Sequence, residues 1–216
     1  MWDGVPNALA RSKSRFHRTG STPVSLLRAS EVVAGIVAVL KSKIVVVPLG
    51  EVDFMMVNRL AAELGPVFNR SVDILKGMKT PTEAHNVVRN QFYAQVVLAK
   101  LERAKANTRE KVLAVCEEDL YIPGETYILG YADVLSGTAV VSLFHIRQEF
   151  YGLPEDENKV YPRLFKEAVH RLAHLFNLTE CRNPKCVNYY SQAMLDIDNK
   201  GEKFCDVCRR RLTGVV

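Results

Sequence analysis

The segment "HRLAHLFNLTEC", His170 to Cys181, sets two histidines four residues apart and ends in the first of four clustered cysteines. On a helix, side chains at i and i+4 share one face, so His170 and His174 can offer two imidazoles to one metal ion. Zinc hydrolases built on this spacing place a glutamate directly after the first histidine as general base. Here that position is Arg171. A guanidinium stays protonated, so it neither takes a proton from water nor usefully returns one. Loss of a general base costs about 10²- to 10⁴-fold in rate, roughly 3 to 5 kcal/mol of barrier. A fixed cation also disfavours a neighbouring metal ion by Coulomb repulsion, yet it can hold an anion such as a peptide carboxylate.

The cysteines form a second constellation. Cys181 and Cys186 are separated by four residues, Cys205 and Cys208 by two, and eighteen lie between the pairs. Two close pairs joined by a loop suit a tetrahedral thiolate site, because each pair makes a knuckle that reaches one ion. Zinc bound there is structural, and worth on the order of 10 kcal/mol toward folding its surroundings. Few apolar residues lie between Cys181 and Cys208, so the ion is expected to supply what a core does not. The rival readings are four unrelated buried thiols or a DNA-binding finger ending in "CRRRL". Residues 198–211 carry five basic but also three acidic side chains, which weighs against the finger.

In the extended zinc-peptidase pattern H-E-x-x-H-x-x-G-x-x-H, a glycine ends the helix with positive φ so that a third ligand returns to the metal. Laid on it, the chain keeps His170 and His174 and substitutes Arg171, Asn177 and Glu180. Asn tolerates the left-handed conformation best among non-glycine residues, so the turn survives. Glu180 is then delivered near the imidazoles as an acceptable third zinc ligand. A cysteine directly after the third-ligand position, another five on, and a later C-x-x-C make this run similar to the extended signature of the archaemetzincin family. The chain resembles that family from about Lys43 to Leu212, including "KEAVH", "GTAVVS" and "DIDNKGEKFCDVCRRRL".

The resemblance implies a compact, metzincin-like mixed α/β domain, a catalytic zinc on the histidines, a structural zinc on Cys181, Cys186, Cys205 and Cys208, and a cleft below an edge strand. Where the family's Met-turn methionine falls, this chain has Asn188, with Met194 nearby as partial compensation. Arg171 is the serious departure. Two alternatives are open for it: pairing with Glu180, which fills the site with a salt bridge, or swinging to solvent and leaving a weak site of His170, His174 and Glu180. The expected function is therefore an archaemetzincin-like zinc-binding protein impaired or inactive as a peptidase, holding a peptide or protein partner along an edge strand. The alternative is a weakly active metallopeptidase.

Positioning these residues requires a folded body, and the rest of the chain supplies one. Hydrophobic residues make up 48% and charged residues 25% of 216, a soluble globular balance with room for one sizeable core. The longest apolar run, Val32 to Leu40, is nine residues and too short to span a bilayer. Net charge is +5, but residues 1–42 hold six Lys/Arg against two acids, leaving a nearly neutral body that argues against nucleic acid as partner. That basic segment reads as a mobile tail, with a targeting peptide as rival. Clustered cysteines point to metal ligation in a reducing, cytoplasmic setting rather than to disulfides. Cys116, alone in "VLAVC", reads as a core thiol.

The expected order is a strand at Lys43–Pro48, a helix over "VDFMMVNRLAAEL", and a strand at "SVDIL" parallel to the first. A long helix follows over Thr82–Lys105, carrying Val87, Val88, Phe92, Val96, Val97 and Leu101. Strands are expected at "KVLAVCEEDLY" and "AVVSLFHI", with an edge strand at Tyr127–Leu135 making the twisted sheet mixed. The last long helix runs from Asp156 or Tyr161 to Leu175 or Phe176, with Leu164, Val169, Leu172, Ala173 and Phe176 facing the core. The organisation expected is a tail over 1–42, an α/β domain over 43–180 and a zinc-stapled subdomain over 181–216. His17, His85 and His145 read as isolated histidines, Asp196 and Asp198 as turn residues, and Tyr189 and Tyr190 as packing or pocket-lining.

Overall fold

The computed structural model describes residues 42–214. The basic segment, His17 and the apolar run at Val32–Leu40 lie outside the described residues. Strand β1 (Ile44–Leu49) is buried along its whole length, as its β-branched sequence demands. It lies between β2 (Val72–Ile74) and β5 (Lys111–Cys116), parallel to both. Strand β8 (Thr138–Ser142) continues the parallel set on β5, and β7 (Gly130–Asp133) closes the sheet antiparallel to β8. The order is thus β2-β1-β5-β8-β7, with β7 at an edge.

Because successive strand residues point to opposite faces, an unbroken apolar strand must be covered twice. Ile44, Val46, Leu113 and Val115 face helices α1 (Phe54–Phe68) and α3 (Glu157–Leu175), whereas Val45, Val47, Val112 and Ala114 face α2 (Ala94–Arg103). Asp53 caps α1 by accepting the Met55 N–H at 2.9 Å, and Asn69 ends it with φ 49°. Helix α3 brings Leu164, Val169, Leu172 and Ala173 into the first core, while Phe176 is partly buried and stacks on Phe68 at 5.1 Å. Beyond it lie the short helices α4 (Met194–Asn199) and α5 (Asp206–Thr213). Among the described residues no helix is long and apolar enough to cross a membrane.

The long helix expected over Thr82–Lys105 is wrong in its first half. A single 3₁₀ turn at Thr82–Ala84 leads into an antiparallel pair, β3 (His85–Asn86) with β4 (Gln91–Tyr93), and α2 starts only at Ala94. The Asn86 side chain accepts the N–H groups of Val88 and Arg89 at 3.1 and 3.2 Å, and Asn90 takes φ 52°. This turn chemistry overrides the apolar spacing and leaves Val87 and Val88 82% and 97% exposed. The strand expected over residues 111–121 likewise ends at Cys116, and β6 (Leu120–Tyr121) joins β4 in the small second sheet. The strand expected from Ala139 ends at Ser142, where the Ser142 hydroxyl accepts the Phe144 N–H and turns the chain. Of Tyr127–Leu135, only residues 130–133 are regular strand, and Leu135 is 98% exposed in the turn that follows.

Candidate metal centres and the cleft beneath the edge strand

The four clustered thiols converge. Their sulfurs all lie within 4.8 Å of one another, with Cys181 Sγ and Cys205 Sγ at 3.7 Å. A tetrahedron of sulfurs about 2.3 Å from zinc has edges of about 3.8 Å, so the spacing fits that ion. Backbone donors support the sulfurs: within the first pair the Asn183 N–H donates to Cys181 Sγ at 3.4 Å, and across the two pairs the Cys205 N–H donates to Cys186 Sγ at 3.3 Å. All five cysteines are free thiols. The Cys208 N–H pulls Cys205 down to about 7, whereas burial pushes Cys186 and Cys208 up. Crowded thiols with opposed tendencies are a donor set that a cation reconciles by favouring thiolate throughout. The segment also has an apolar anchor not apparent in its sequence, since Val187, Ile197 and Phe204 join the core cluster beneath α3. Cys116 is buried in the sheet, as expected of a core thiol.

The histidine pair is placed by α3. His170 is fully buried and His174 partly so, and their Nε2 atoms face each other at 3.3 Å. Two nitrogens about 2.0–2.1 Å from a tetrahedral zinc lie about 3.4 Å apart, so this approach suits a shared ion. Asn177 takes φ 62°, and the Asn177 and Leu178 N–H groups close onto His174 O and Ala173 O at 2.8 and 3.0 Å. That left-handed turn carries Glu180 back, and one oxygen of Glu180 lies within 4.8 Å of both imidazole nitrogens. Burial lowers the pKa of both histidines and the charge of Arg171 lowers it further, which keeps them neutral as ligation requires. His170 Nδ1 is buried and has no hydrogen-bond partner among the described residues.

Arg171 takes neither of the two courses expected of it. It turns back along its own helix to Glu167, Nη2 to Oε1 at 2.5 Å, and Lys200 Nζ approaches the other carboxylate oxygen at 3.4 Å. Glu180 is the more distant choice in chain geometry, across a turn, whereas Glu167 stands one helical turn before Arg171. Glu167 and Lys200 are both fully buried. Burial opposes ionisation of Glu167, but Arg171 and then Lys200 outweigh it and hold the carboxyl down to about 2. Burial lowers Lys200 at the same time, so the cation gives back part of that gain. The carboxylate decides the sign, because Arg171 is permanently charged and always present to stabilise it.

Sequence reasoning missed Glu167 and Lys200, although a Glu four residues before an Arg on a helix was a readable signal. It also missed Gly130. A Cβ there would lie 2.6 Å from Val140 O and 3.1 Å from Arg171 Nε, so only glycine lets β7 and the guanidinium approach. Both line a cavity of about 190 Å³, together with Tyr127, Glu125, Tyr190 and Ser191. Tyr190 is thus a lining residue. Asn188, at the Met-turn position, is buried and donates to Thr179 O at 2.7 Å, and Met194 is buried at the start of α4. Asp196 shapes the turn at Gln192–Ala193 by accepting both N–H groups, whereas Asp198 instead clasps the buried Arg163 with two bonds of 2.7 Å. His145 pairs with Asp119 at 2.8 Å and His85 with Asn90 at 3.2 Å, and neither belongs to a metal-capable group among the described residues.

The profile of peptidase family M54 matches residues 30–214. The archaemetzincin of Methanocaldococcus jannaschii is 32% identical over 170 residues, covering 79% of this chain and 92% of that protein. Among solved structures, a zinc-dependent peptidase from Methanocorpusculum labreanum superimposes with a TM-score of 0.72 at 30% identity, over 78% of this chain and 99% of the other. The archaemetzincin of Methanopyrus kandleri gives 0.68 at 27% identity, over 81% and 95%. A mixed sheet and, among the described residues, two metal-capable clusters thus coincide with a match over most of the sequence, and the chain belongs to peptidase family M54, the archaemetzincins.

Proposed function

We propose that this archaemetzincin is impaired in hydrolysis and uses the cleft beneath β7 to hold a peptide. The observation that carries the reading is the ion pair of Arg171 with Glu167. The residue after the first histidine is a cation, and it is locked in place by the fully buried carboxylate of Glu167. Glu167 cannot substitute as base, because a carboxylate held down to about 2 between two cations has little affinity for a proton. Cys181, Cys186, Cys205 and Cys208 would hold one structural zinc, making 181–216 a metal-stapled subdomain. Zinc on His170, His174 and Glu180, when bound, would polarise a carbonyl. The edge of β7 away from β8 offers main-chain groups to which an extended peptide can add as a further strand. A cytoplasmic setting suits thiols that stay unpaired, and neither nucleic acid nor membrane figures as a partner.

A second reading is a weak metallopeptidase. It is favoured by the convergence of His170, His174 and Glu180 within 4.8 Å with both imidazoles neutral. Metal analysis of the purified protein separates the two. About one zinc per chain supports the first reading, and two per chain supports the second.

A further inference from the structure

The enclosed charges around Arg171 do not balance. Glu167 faces two cations, Arg171 and Lys200, and a third, Lys166, is buried nearby with its Nζ donating to Ile197 O and Lys200 O at 3.1 and 2.9 Å. One buried carboxylate therefore stands among three buried or nearly buried cations. An uncompensated charge in such a place is costly, and an incoming anion relieves it. Arg171 is where this surplus meets open space, because it lines the cavity under β7.

The hydrogen-bonding inventory at the same place points to the same chemistry. Among the described residues Ser191 Oγ, another lining group, is buried without a partner, and Arg171 Nε is too, although Glu167 Oε1, the acceptor beside the guanidinium, also makes no hydrogen bond. A guanidinium and an unpartnered hydroxyl on one cavity wall, beside surplus positive charge, suit a group that is anionic and accepts on two oxygens. Glu125, the carboxylate that also lines the cavity, is exposed, so water screens its opposing charge more than it screens Arg171. The volume limits what carries the anion. About 190 Å³ is below the roughly 300–1,000 Å³ usual for ligand pockets, and it accepts one residue rather than a chain passing through.

From these observations we infer that the cavity captures the carboxylate of a peptide's C-terminal residue on Arg171 and Ser191, while the preceding residues run along the free edge of β7. The inference rests on the peptide-binding reading above and names its specificity: what the guanidinium took from hydrolysis it returns as recognition of a chain end. Capture of a terminal carboxylate is an established mode of peptide recognition, and a planar guanidinium matches a carboxylate better than an ammonium does.

The test uses the purified full chain at physiological salt and a pool of random hexapeptides labelled at the N-terminus, half with a free C-terminal carboxylate and half amidated, read by fluorescence anisotropy. The carboxylate pool is expected to bind about 30-fold more tightly than the amidated pool, as for loss of a hydrogen bond to a charged group. Arg171→Gln should bring that ratio below threefold, with Arg171→Lys in between. The pool comparison on wild-type protein decides the matter even if the variants fold poorly. Equal binding of both pools overturns terminal-carboxylate capture and leaves peptide binding standing. Binding of neither pool sinks the peptide-binding reading, and this inference with it. Free succinate that displaces a fluorescent dicarboxylate when no peptide binds would assign the cavity to small free acids and refute the peptide source.

Discussion

Cys181 follows Glu180 directly in the chain, so the two metal-capable clusters are neighbours, but different forces hold their donors in place. The imidazoles stand on a 19-residue helix whose apolar face is locked against the sheet, and their approach to 3.3 Å is set by that packing. The thiols come from loops and from the start of α5, in a segment whose helices are only six and eight residues long. Helices so short do not persist without tertiary support. Val187, Ile197 and Phe204 give some of that support, and an ion on four sulfurs would give more. Mutation should therefore act differently at the two sites: a guanidinium at position 171 leaves α3 folded, whereas loss of a thiol should loosen its own region.

The largest effect is expected at the thiol site. Chelation, or Cys208→Ser, is expected to release residues 181–214 from a restraint on the order of 10 kcal/mol, exposing their amides to exchange while the centre of α3 stays protected. Hydrogen exchange followed by mass spectrometry reads this, and equal loss in α3 and the C-terminal segment would erase the distinction. A smaller effect is expected from Glu167→Gln. It leaves Arg171 and Lys200 without their buried counter-charge, and urea unfolding should show a loss of about 3–5 kcal/mol.

The same carboxylate sharpens the contrast through pH. Its folded pKa is depressed to about 2 from an ordinary value of 4.5, so the stability it contributes is present above 4.5 and is lost as pH falls toward 2. About 3 kcal/mol should disappear across that window, less what Lys200 gives back, and Glu167→Gln should flatten the profile there. The smallest expected effect is at the turn between the clusters. Asn177→Ala should cost about 1–2 kcal/mol because its φ is 62°, whereas Asn177→Gly should stay within about 0.5 kcal/mol; thermal unfolding measures both.

Much of the fold was legible because β1, β5 and β8 are short, mostly apolar runs bearing β-branched residues and α3 has a clean apolar stripe. Residues 85–93 were not, since Val87, Val88 and Phe92 imitate a helical face and only the turns at Asn86 and Asn90 betray the hairpin. The four cysteines and the two histidines follow from spacing, and Glu180 and the turn at Asn177 from the extended zinc-peptidase pattern laid on the chain. The course of Arg171 did not, although Glu167 one turn earlier offered the hint. Lys200, 33 residues from Glu167, and Gly130, whose missing Cβ makes room for Arg171, depend on tertiary approach that no local pattern encodes.

On the proposed reading, a base placed at position 171 would have to displace the ion pair. Arg171→Glu would place a second carboxylate against Glu167, so the change made alone should lower stability as it supplies the base. Pairing it with Glu180→His, which adds an imidazole, should raise zinc stoichiometry. The most direct test remains the unaltered protein. Saturated with zinc and offered a broad set of peptides, it should cleave none faster than its chelated control, and zinc-dependent turnover well above that control would contradict the claim that Arg171 has disabled hydrolysis.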